Sequence, residues 1–519
     1  MDTLYSALTH SLPSPPAEIA SFLRRVGFTD LDRFWSMFQT CHRRIAGIVT
    51  DFRSPDRLLE AMAESSDPER AFSNLYTLLL ETNETTAALI ADLVAHHHEE
   101  THALLMVCSS SQSLCSIFIQ NPAFLNELFT GSSWKTLQSR VQLSDRLNSC
   151  VPKTVSFEEA LPLLRDYKKR EYLRIALADL TKQADTPTVL LRLSDVADLC
   201  LQKALEVCAN QLESQHGRPM LDTGRQSGFS VIGMGKLGGR ELNFDSDIDL
   251  LFVYDSTDGR TSQSGLCIYE YYPKLARMVT DLISRITDRG MVFRVDLRLR
   301  PEGRAGDIAN SVDGYRWHYE TSGQPWQRQA LLKARPVAGS EQVGQQFLDA
   351  ISRYVFQPEP DPIILEDINR MREKIAHALM ARGTGHNHVK LGPGGIREIE
   401  FIAQGFQLVH GGQKKWPWER STLPALAWIA DQGYLSSTEA ANLKEAYLFY
   451  RDLENRIQMT AGRQAHEIPD DTQAQAVLAK MMDVKAETRA EAATLLLSRY
   501  HAHTTRVQSI YDRVFHSTM

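Results

Sequence analysis

Apolar residues recur three and four positions apart over most of the chain, and only one stretch, between about Phe229 and Pro336, breaks into the short apolar runs expected of strands. From about Pro16 to Phe129 the helical period holds, as in Ala71-Phe-Ser-Asn-Leu-Tyr-Thr-Leu-Leu-Leu80, and predicts an all-helical leader. A polar, serine-containing stretch, Gly131 to Ser156, separates it from a second helical section, Phe157 to Leu212. The turn-rich segment His216 to Ser227 leads into two buried strands, Phe229 to Ile232 and Ile248 to Tyr254. From Ile364 the helical period returns in Glu366 to Ala381, Ile396 to Val409, Thr438 to Met459 and Arg489 to Phe515, which predicts a C-terminal helical bundle. The expected fold class is α+β, mainly helical. Its parts are an N-terminal helical region (1–130), a sheet core with leading helices (131–345) and the C-terminal bundle (346–519).

Composition narrows the class of protein. A chain of 519 residues exceeds the size at which single cores stop growing, so two or three domains are expected. With 43% hydrophobic and 23% charged residues it is an ordinary globular protein and not a disordered one. The formal net charge of -7 argues against a chain that grips nucleic-acid backbone, which needs a basic excess. No apolar run approaches the length of a membrane span, and Met-Asp-Thr-Leu-Tyr-Ser at the start lacks the basic and apolar regions of a signal peptide. The cytoplasm is the expected compartment. Seven cysteines are scattered without a Cys-x-x-Cys pair, which suits reduced core residues better than a disulfide framework.

The chemistry concentrates in Phe229-Ser-Val-Ile-Gly-Met-Gly-Lys-Leu-Gly-Gly-Arg-Glu-Leu-Asn-Phe-Asp-Ser-Asp-Ile-Asp-Leu-Leu-Phe-Val-Tyr254. A glycine-rich turn follows one strand, and two carboxylates, Asp247 and Asp249, open the next. Side chains alternate along a strand, so both carboxylates point to one side. At that spacing they repel, and a divalent cation such as magnesium relieves the repulsion. A third acid comes from Val292-Phe-Arg-Val-Asp-Leu-Arg-Leu-Arg300. Read as a strand, it buries Phe293, Val295, Leu297 and Leu299 and sets Asp296 among Arg294, Arg298 and Arg300 on the other face. Metal-dependent nucleotidyl transfer needs that combination of acids, guanidinium groups and a phosphate-sized turn.

Rival readings exist for several of these residues. Gly233-x-Gly235-x-x-Gly238 matches a dinucleotide fingerprint, with Asp255 near the place of a ribose-binding acid. That fold needs a crossover helix through Gly238, Gly239 and the turn-like Asn243-Phe-Asp-Ser-Asp247, which is poor helix sequence, so nucleotidyl transfer is the better reading. His98-Glu-Glu-Thr-His102 fits a zinc motif, but its histidine-rich surroundings suit a solvated charged surface better. Lys333 and Arg335 are either phosphate-neutralising or ordinary surface charges. Arg397, Glu398 and Glu400, on a helix that follows a glycine loop, are expected to be partly buried; internal ion pairing is preferred to completion of a site.

Taken together, Gly233 to Leu250, Val295 to Pro301 and Gly394-Gly-Ile-Arg-Glu-Ile-Glu-Phe401 resemble the bacterial glutamine synthetase adenylyltransferase/adenylyl-removing enzymes, within the polymerase-β-like nucleotidyltransferase superfamily. Leu173-Arg-Ile-Ala176 and Leu193-Ser-Asp-Val-Ala-Asp198 carry the same likeness. Met234 stands where the superfamily has a small residue. The resemblance implies a polymerase-β-like sheet core flanked by helices and one half of a two-half enzyme. The stretch Arg397 to Gly412 looks more like the N-terminal, adenylyl-removing half. The implied reaction is phosphorolysis: orthophosphate attacks the AMP phosphorus of adenylyl-tyrosine on glutamine synthetase and releases ADP. The forward transfer of AMP from ATP, or a lapsed regulatory half that binds glutamine synthetase or the PII signal protein, are the alternatives. The resemblance implies Asp247, Asp249 and Asp296 as catalytic magnesium ligands. It matches Gly235 to Gly239, with Lys236 and Gly238 among them, to the phosphate-proximal turn; Gly233 and Ser246 are expected to bind nucleotide or phosphate beside it, and Arg298 and Arg300 to act as charge clamps on the phosphates. Glutamine synthetase and the PII protein are the implied partners.

Overall fold

In the computed structural model, residues 7–8, 12–49, 55–359, 363–381, 387–413 and 416–516 are described, with backbone alone for 131–133. The chain forms two compact units, both discontinuous in sequence. One comprises Met1–Leu137, Tyr172–Asp185 and Asp452–Arg499; the other comprises Gln138–Glu171, Thr186–Arg451 and Tyr500–Met519. The sequence predicts a consecutive three-part division instead.

The first unit is helical, as its apolar period predicts. Its helices include Leu31–Ile48, Pro68–Glu81, Glu84–His96 and Gln112–Gln120, each started by a side chain that accepts from the backbone of the first turn: Asp30, Asp67, Asn83 and Ser111. Phe34 gathers the rings of Phe28, Phe38 and Phe72 at centroid distances of 4.3, 5.4 and 4.7 Å. Arg456 and Asp179, both buried, pair through two contacts of 2.6 and 2.8 Å. His98 and His102 do lie on one helix, His98–Ser110, yet His102 Nε2 is 3.6 Å from Glu64 and Glu99 pairs with Lys135. His96 to Glu99 are exposed. The solvated reading of this tract therefore fits, and among the described residues no group of three His, Cys, Asp or Glu side chains is placed to hold a metal ion.

The second unit is built on a five-stranded sheet. Strands β1 (Phe229–Gly233), β2 (Ile248–Tyr254), β3 (Val295–Asp296), β4 (Ala309–Ser311) and β5 (Arg335–Gly339) run in the order β3-β2-β1-β5, with β4 also paired to β2. β1 is antiparallel to both β2 and β5, and a register irregularity falls between Val231 and Ile232 on the β5 side. β3 and β4 run parallel to β2, pairing with Ile248–Asp249 and Phe252–Tyr254 respectively. β1 is fully buried, and Asp249 is the one residue of β2 that is not. Helix α1 (Thr186–His216) packs on β5 and on α3 (Ile268–Ser284), with α2 reserved for the short turn Gly235–Gly238. Helix α5 (Glu341–Val355) packs on β1, β2, β5 and α4 (Val312–Ser322).

The antiparallel pairing of β1 with β2 removes the dinucleotide reading, because a βαβ unit requires parallel strands joined by a crossover. Asp255 instead ties its own neighbourhood, accepting from Arg225, Ser227 and the Gly228 amide.

Three local expectations need correction. The strand expected over Val292 to Arg300 is only two residues long. The Arg298 amide binds the Asp296 carboxylate and the Arg300 amide binds the Leu297 carbonyl, so the chain turns away, and Val295, Leu297 and Leu299 are only half-buried. A helix, Arg140–Cys150, lies inside the supposed polar separator; Ser139 and Gln142 form a capping box, and only Leu143 and Leu147 are buried. Pro219–Met220 pairs with Arg260–Thr261 as a small second sheet that lies partly ahead of the expected strand region. No single helix among the described residues is long and apolar enough to cross a membrane. All seven cysteines are free, and five of them are buried.

Candidate active site

The glycine turn is held tightly against the second strand. The Met234 amide donates to the Asp249 carbonyl at 2.8 Å, and the amides of Gly238 and Gly239 close back on the carbonyls of Met234 and Gly235. Gly235 has φ +53°, and a Cβ there would lie 2.7 Å from Asp249 Oδ2. A Cβ on Gly238 would lie 1.7 Å from the Lys333 carbonyl oxygen. Both positions require the absence of a side chain. Gly233 ends β1 opposite Leu250 and Arg335, and the Gly239 carbonyl accepts from Ser421 Oγ at 2.7 Å.

The sheet brings the acids together at the end of β2. Asp249 pairs with Asp296 in the parallel register, and Asp247 stands just before the strand. Burial, then the charges of Asp296 and Asp247, push the Asp249 carboxyl up to about 6 against the opposing Lys390 and Arg298. Asp296 is drawn down, chiefly by its hydrogen bonds from Arg298, whose Nε lies 2.8 Å from Oδ2. Asp247 accepts from Arg294 Nε, while Arg294 Nη2 reaches the Asp245 carbonyl at 3.1 Å. Two of the three acids therefore carry a guanidinium partner, and the third is destabilised as an anion.

The other predicted binding residues divide by role. Ser246 is 8% exposed, and its Oγ has no hydrogen-bond partner among the described residues. Lys236 turns its ammonium to Asn243 Oδ1 at 2.8 Å. Arg298 is exposed and remains at the acids. Arg300 spends its guanidinium on the carbonyls of Leu297, Arg304 and Gly306, at 3.0 to 3.1 Å, and so braces the loop after β3.

Beneath the turn lies a buried polar network that ties it to helices from the later sequence. Lys333 Nζ lies 2.6 Å from Glu241 Oε2 and 3.3 Å from both Glu400 Oε1 and Thr422 Oγ1. Although burial opposes charge on both, Glu241 and Glu400 hold Lys333 above its ordinary value, and Lys333, Arg397 and Lys390 bring Glu400 down to about 2. Arg451, on α7 (Ser437–Ala461) and fully buried, donates to Asn243 Oδ1 at 2.6 Å and to the Glu241 carbonyl. Arg335 binds the carbonyls of Leu237 and Gly238 and both oxygens of Asp198, at 2.8 to 3.1 Å. Lys333 and Arg335 are thus internal ties to the turn, neither surface charges nor direct phosphate ligands. The internal pairing expected for α6 (Ile396–His410) is present: Glu398 takes Arg372 at 2.8 Å and Glu400 takes Lys333.

Arg294, Lys390, Asp198 and Asn243 escaped the sequence-based list. Arg294 alternates with Asp296, Asp198 ends the stretch Leu193 to Asp198 and Asn243 lies within Gly233 to Leu250, so these three had a signal; Lys390 had only its place ahead of the glycines that precede Ile396.

Known proteins share these segments. A family model described as glutamate-ammonia ligase adenylyltransferase matches residues 101–350, and one described as GlnD PII-uridylyltransferase matches residues 369–515. A bifunctional glutamine synthetase adenylyltransferase/adenylyl-removing enzyme of Nitrosococcus oceani is 37% identical over 360 residues, 69% of this chain and 36% of that protein. Its counterpart in Thioalkalivibrio sulfidiphilus is 33% identical over 448 residues, 86% of this chain and 45% of that protein. The Pseudomonas aeruginosa counterpart is 35% identical over 394 residues, 74% and 39% respectively. The matched part is less than half the length of each of these relatives.

Proposed function

The chain belongs to the glutamine synthetase adenylyltransferase family of nucleotidyltransferases, and on that premise we propose that it removes AMP from adenylyl-tyrosine of glutamine synthetase by magnesium-dependent phosphorolysis, with ADP as product. One observation carries the reading: Asp249, pushed up to about 6 beside Asp296 and Asp247, abuts the Gly235 turn. Carboxylates that destabilise one another next to a glycine turn suit a site for a cation and a phosphate. The likeness of Arg397 to Gly412 to the removing half supports the direction.

The donor chemistry suits magnesium, since all three candidates are carboxylates, but they are not gathered around one point while Asp247 and Asp296 face Arg294 and Arg298, so binding would require those two guanidinium groups to give way. Asp247, Asp249 and Asp296 would hold it, and when bound it would supply positive charge that offsets the charge on phosphate. The side chains do the rest. Arg294 and Arg298 are exposed enough to move from the acids onto phosphate oxygens. Ser246 Oγ, unpaired and buried, donates to a phosphate oxygen. Gly235, having no side chain, lets the turn approach the Asp249 carboxylate closely. Orthophosphate arrives already ionised, so no side-chain base is required, and the tyrosine leaves as a phenolate that takes a proton from water. Segment 369–515, which matches the PII-uridylyltransferase model, supports a link to the PII signal protein.

The test is incubation with adenylylated glutamine synthetase, magnesium and orthophosphate, following ADP and loss of AMP from the tyrosine. Phosphate-dependent ADP that Asp247→Asn abolishes is expected. AMP incorporation from ATP into unmodified glutamine synthetase, with no ADP from the first assay, reverses the direction.

A further inference from the structure

Where the glycine turn meets α1, charge does not balance. Asp195 and Asp198, one turn apart on α1 and both buried, receive arginines from four places in the chain. Arg140 Nη1 lies 2.9 Å from Asp195 Oδ1 and 3.0 Å from Asp198 Oδ2, and Arg192 Nη1 lies 2.8 Å from Asp195 Oδ2. Arg335 takes both oxygens of Asp198 at 2.8 and 3.0 Å. Arg240, which follows Gly239, comes only within 3.6 Å of Asp195.

Four guanidinium groups against two carboxylates leave an excess of two positive charges, and among the described residues no other carboxylate pairs with any of the four. Partly buried charge without a counter-charge is costly. The shortage falls on Arg240. Its guanidinium stands beyond hydrogen-bond distance of Asp195 and is 42% exposed; burial, then the charge of Arg335, outweigh Asp198 and Asp195 and lower it from its ordinary value. Arg192 Nε is buried with no hydrogen-bond partner among the described residues, and Arg140, 41% exposed, opens the cluster to solvent. The cluster shares no residue with Asp247, Asp249, Asp296 or their partners Arg294 and Arg298. Arg335 alone ties it to the turn, through the carbonyls of Leu237 and Gly238.

We propose that Arg140 and Arg240, backed by Arg192 and Arg335, form a site outside the acid cluster for a small divalent oxyanion. Two negative charges match the excess, and the planar guanidinium fork matches the paired oxygens of a phosphate or a carboxylate. Inorganic phosphate and a dicarboxylate offer that same chemistry. The bound anion supplies the missing counter-charge beside the arginine that grips the glycine turn. The site stands whichever way AMP is transferred, because it uses none of the residues assigned to that reaction.

The test titrates inorganic phosphate, and separately succinate, into the whole chain by calorimetry, with a chelator present and chloride holding the ionic strength constant. Wild type, Arg240→Gln, Arg240→Lys and Arg298→Gln are compared. Arg240→Gln should raise the Kd roughly 10-fold or more, the loss of one charge-assisted hydrogen bond. Arg240→Lys should recover part of the affinity, and Arg298→Gln should bind as wild type does. Heat from phosphate alone, from succinate alone or from both upholds the site and names its ligand. No binding of either anion by wild type overturns it. So does equal weakening by Arg240→Gln and Arg298→Gln, which is general charge attraction, or loss confined to Arg298→Gln, which puts the anion at the acids. Thermal unfolding in chloride separates a role in folding: Arg240→Gln gives up no hydrogen bond and relieves crowding, so its midpoint should equal or exceed that of wild type. A lower midpoint would make Arg240 an ordinary structural ion pair and overturn the proposal.

Discussion

Asp249 and Asp296 occupy one rung of the parallel ladder between β2 and β3, and their carboxyls are driven in opposite directions. Burial and neighbouring charge raise Asp249 to about 6, while Arg298 holds Asp296 below the usual carboxylate range. One rung thus offers a carboxylate already paired and another that lacks compensation.

The first prediction concerns pH. Asp249 binds its proton more tightly folded than unfolded, so its contribution to stability is full at low pH and is lost as pH rises from about 3.8 to about 6. In the presence of a chelator, Asp249→Asn should be more stable than wild type at pH 7 by up to about 3 kcal/mol, and the difference should shrink toward pH 4. Urea midpoints at the two pH values measure it. A gap that is the same at both would show that the carboxyl is not perturbed.

Magnesium should raise the thermal midpoint of the wild-type chain at pH 7 and a chelator should reverse the rise. Asp296→Asn should blunt that response and lower phosphorolysis by roughly 100-fold or more. Calorimetric titration of magnesium into both proteins checks the binding directly; identical isotherms would remove Asp296 from the ligand set.

Arg298 and Arg300, two residues apart, should behave differently. Arg298→Ala removes an exposed guanidinium and should reduce turnover with little change in unfolding midpoint. Arg300→Ala leaves three carbonyls of the loop without their donor and should cost about 1 to 3 kcal/mol in stability. Steady-state kinetics and denaturant curves on the pair separate the roles.

Gly235→Ala should fail locally. Its backbone has φ +53° and the added methyl would meet the Asp249 carboxylate, so a strain of about 1 to 2 kcal/mol and displacement of that carboxylate are expected. Phosphorolysis should fall with far-UV circular dichroism unchanged.

Asp198→Asn tests the support of the turn. Asp198 is fully buried and receives Arg335 and Arg140, so removal of its charge leaves a partly buried Arg335 uncompensated at about 3 to 5 kcal/mol. Urea denaturation should show the second unit destabilised. A midpoint close to wild type would mean that Arg335 finds other acceptors.

Much of this was legible in the sequence because local rules and global structure agree there. Phe229 to Ile232 and Ile248 to Tyr254 are short, apolar and bounded by turn residues, and they form β1 and β2 almost to the residue. The long helices Ile396–His410 and Arg489–His516 likewise carry an unbroken period. Asp296 could be placed on the acids' side, but the strand around it could not be bounded, because the end of β3 is set by the Arg298 amide donating to the Asp296 carboxylate and by β4 taking the rest of the β2 edge. The helix Arg140–Cys150 was hidden because only Leu143 and Leu147 mark its buried face. Lys333 could be read only as a phosphate-neutralising group or a surface charge because its partners, Glu241 and Glu400, stand 92 and 67 residues away in the chain.

The network under the glycine turn also decides how this protein can be cut. Glu241, Asn243 and Lys333 belong to the sheet region, but Glu400, Thr422 and Arg451, which complete their hydrogen bonds, lie in the later helices. A fragment ending near residue 345 would expose a lysine and a glutamate shaped for burial and would loosen the turn they support. The sheet is therefore not a portable module. Any exchange of segments with related chains must carry the strands together with the chain at least as far as Arg451, a lower bound set by the reach of one buried ammonium and one buried guanidinium.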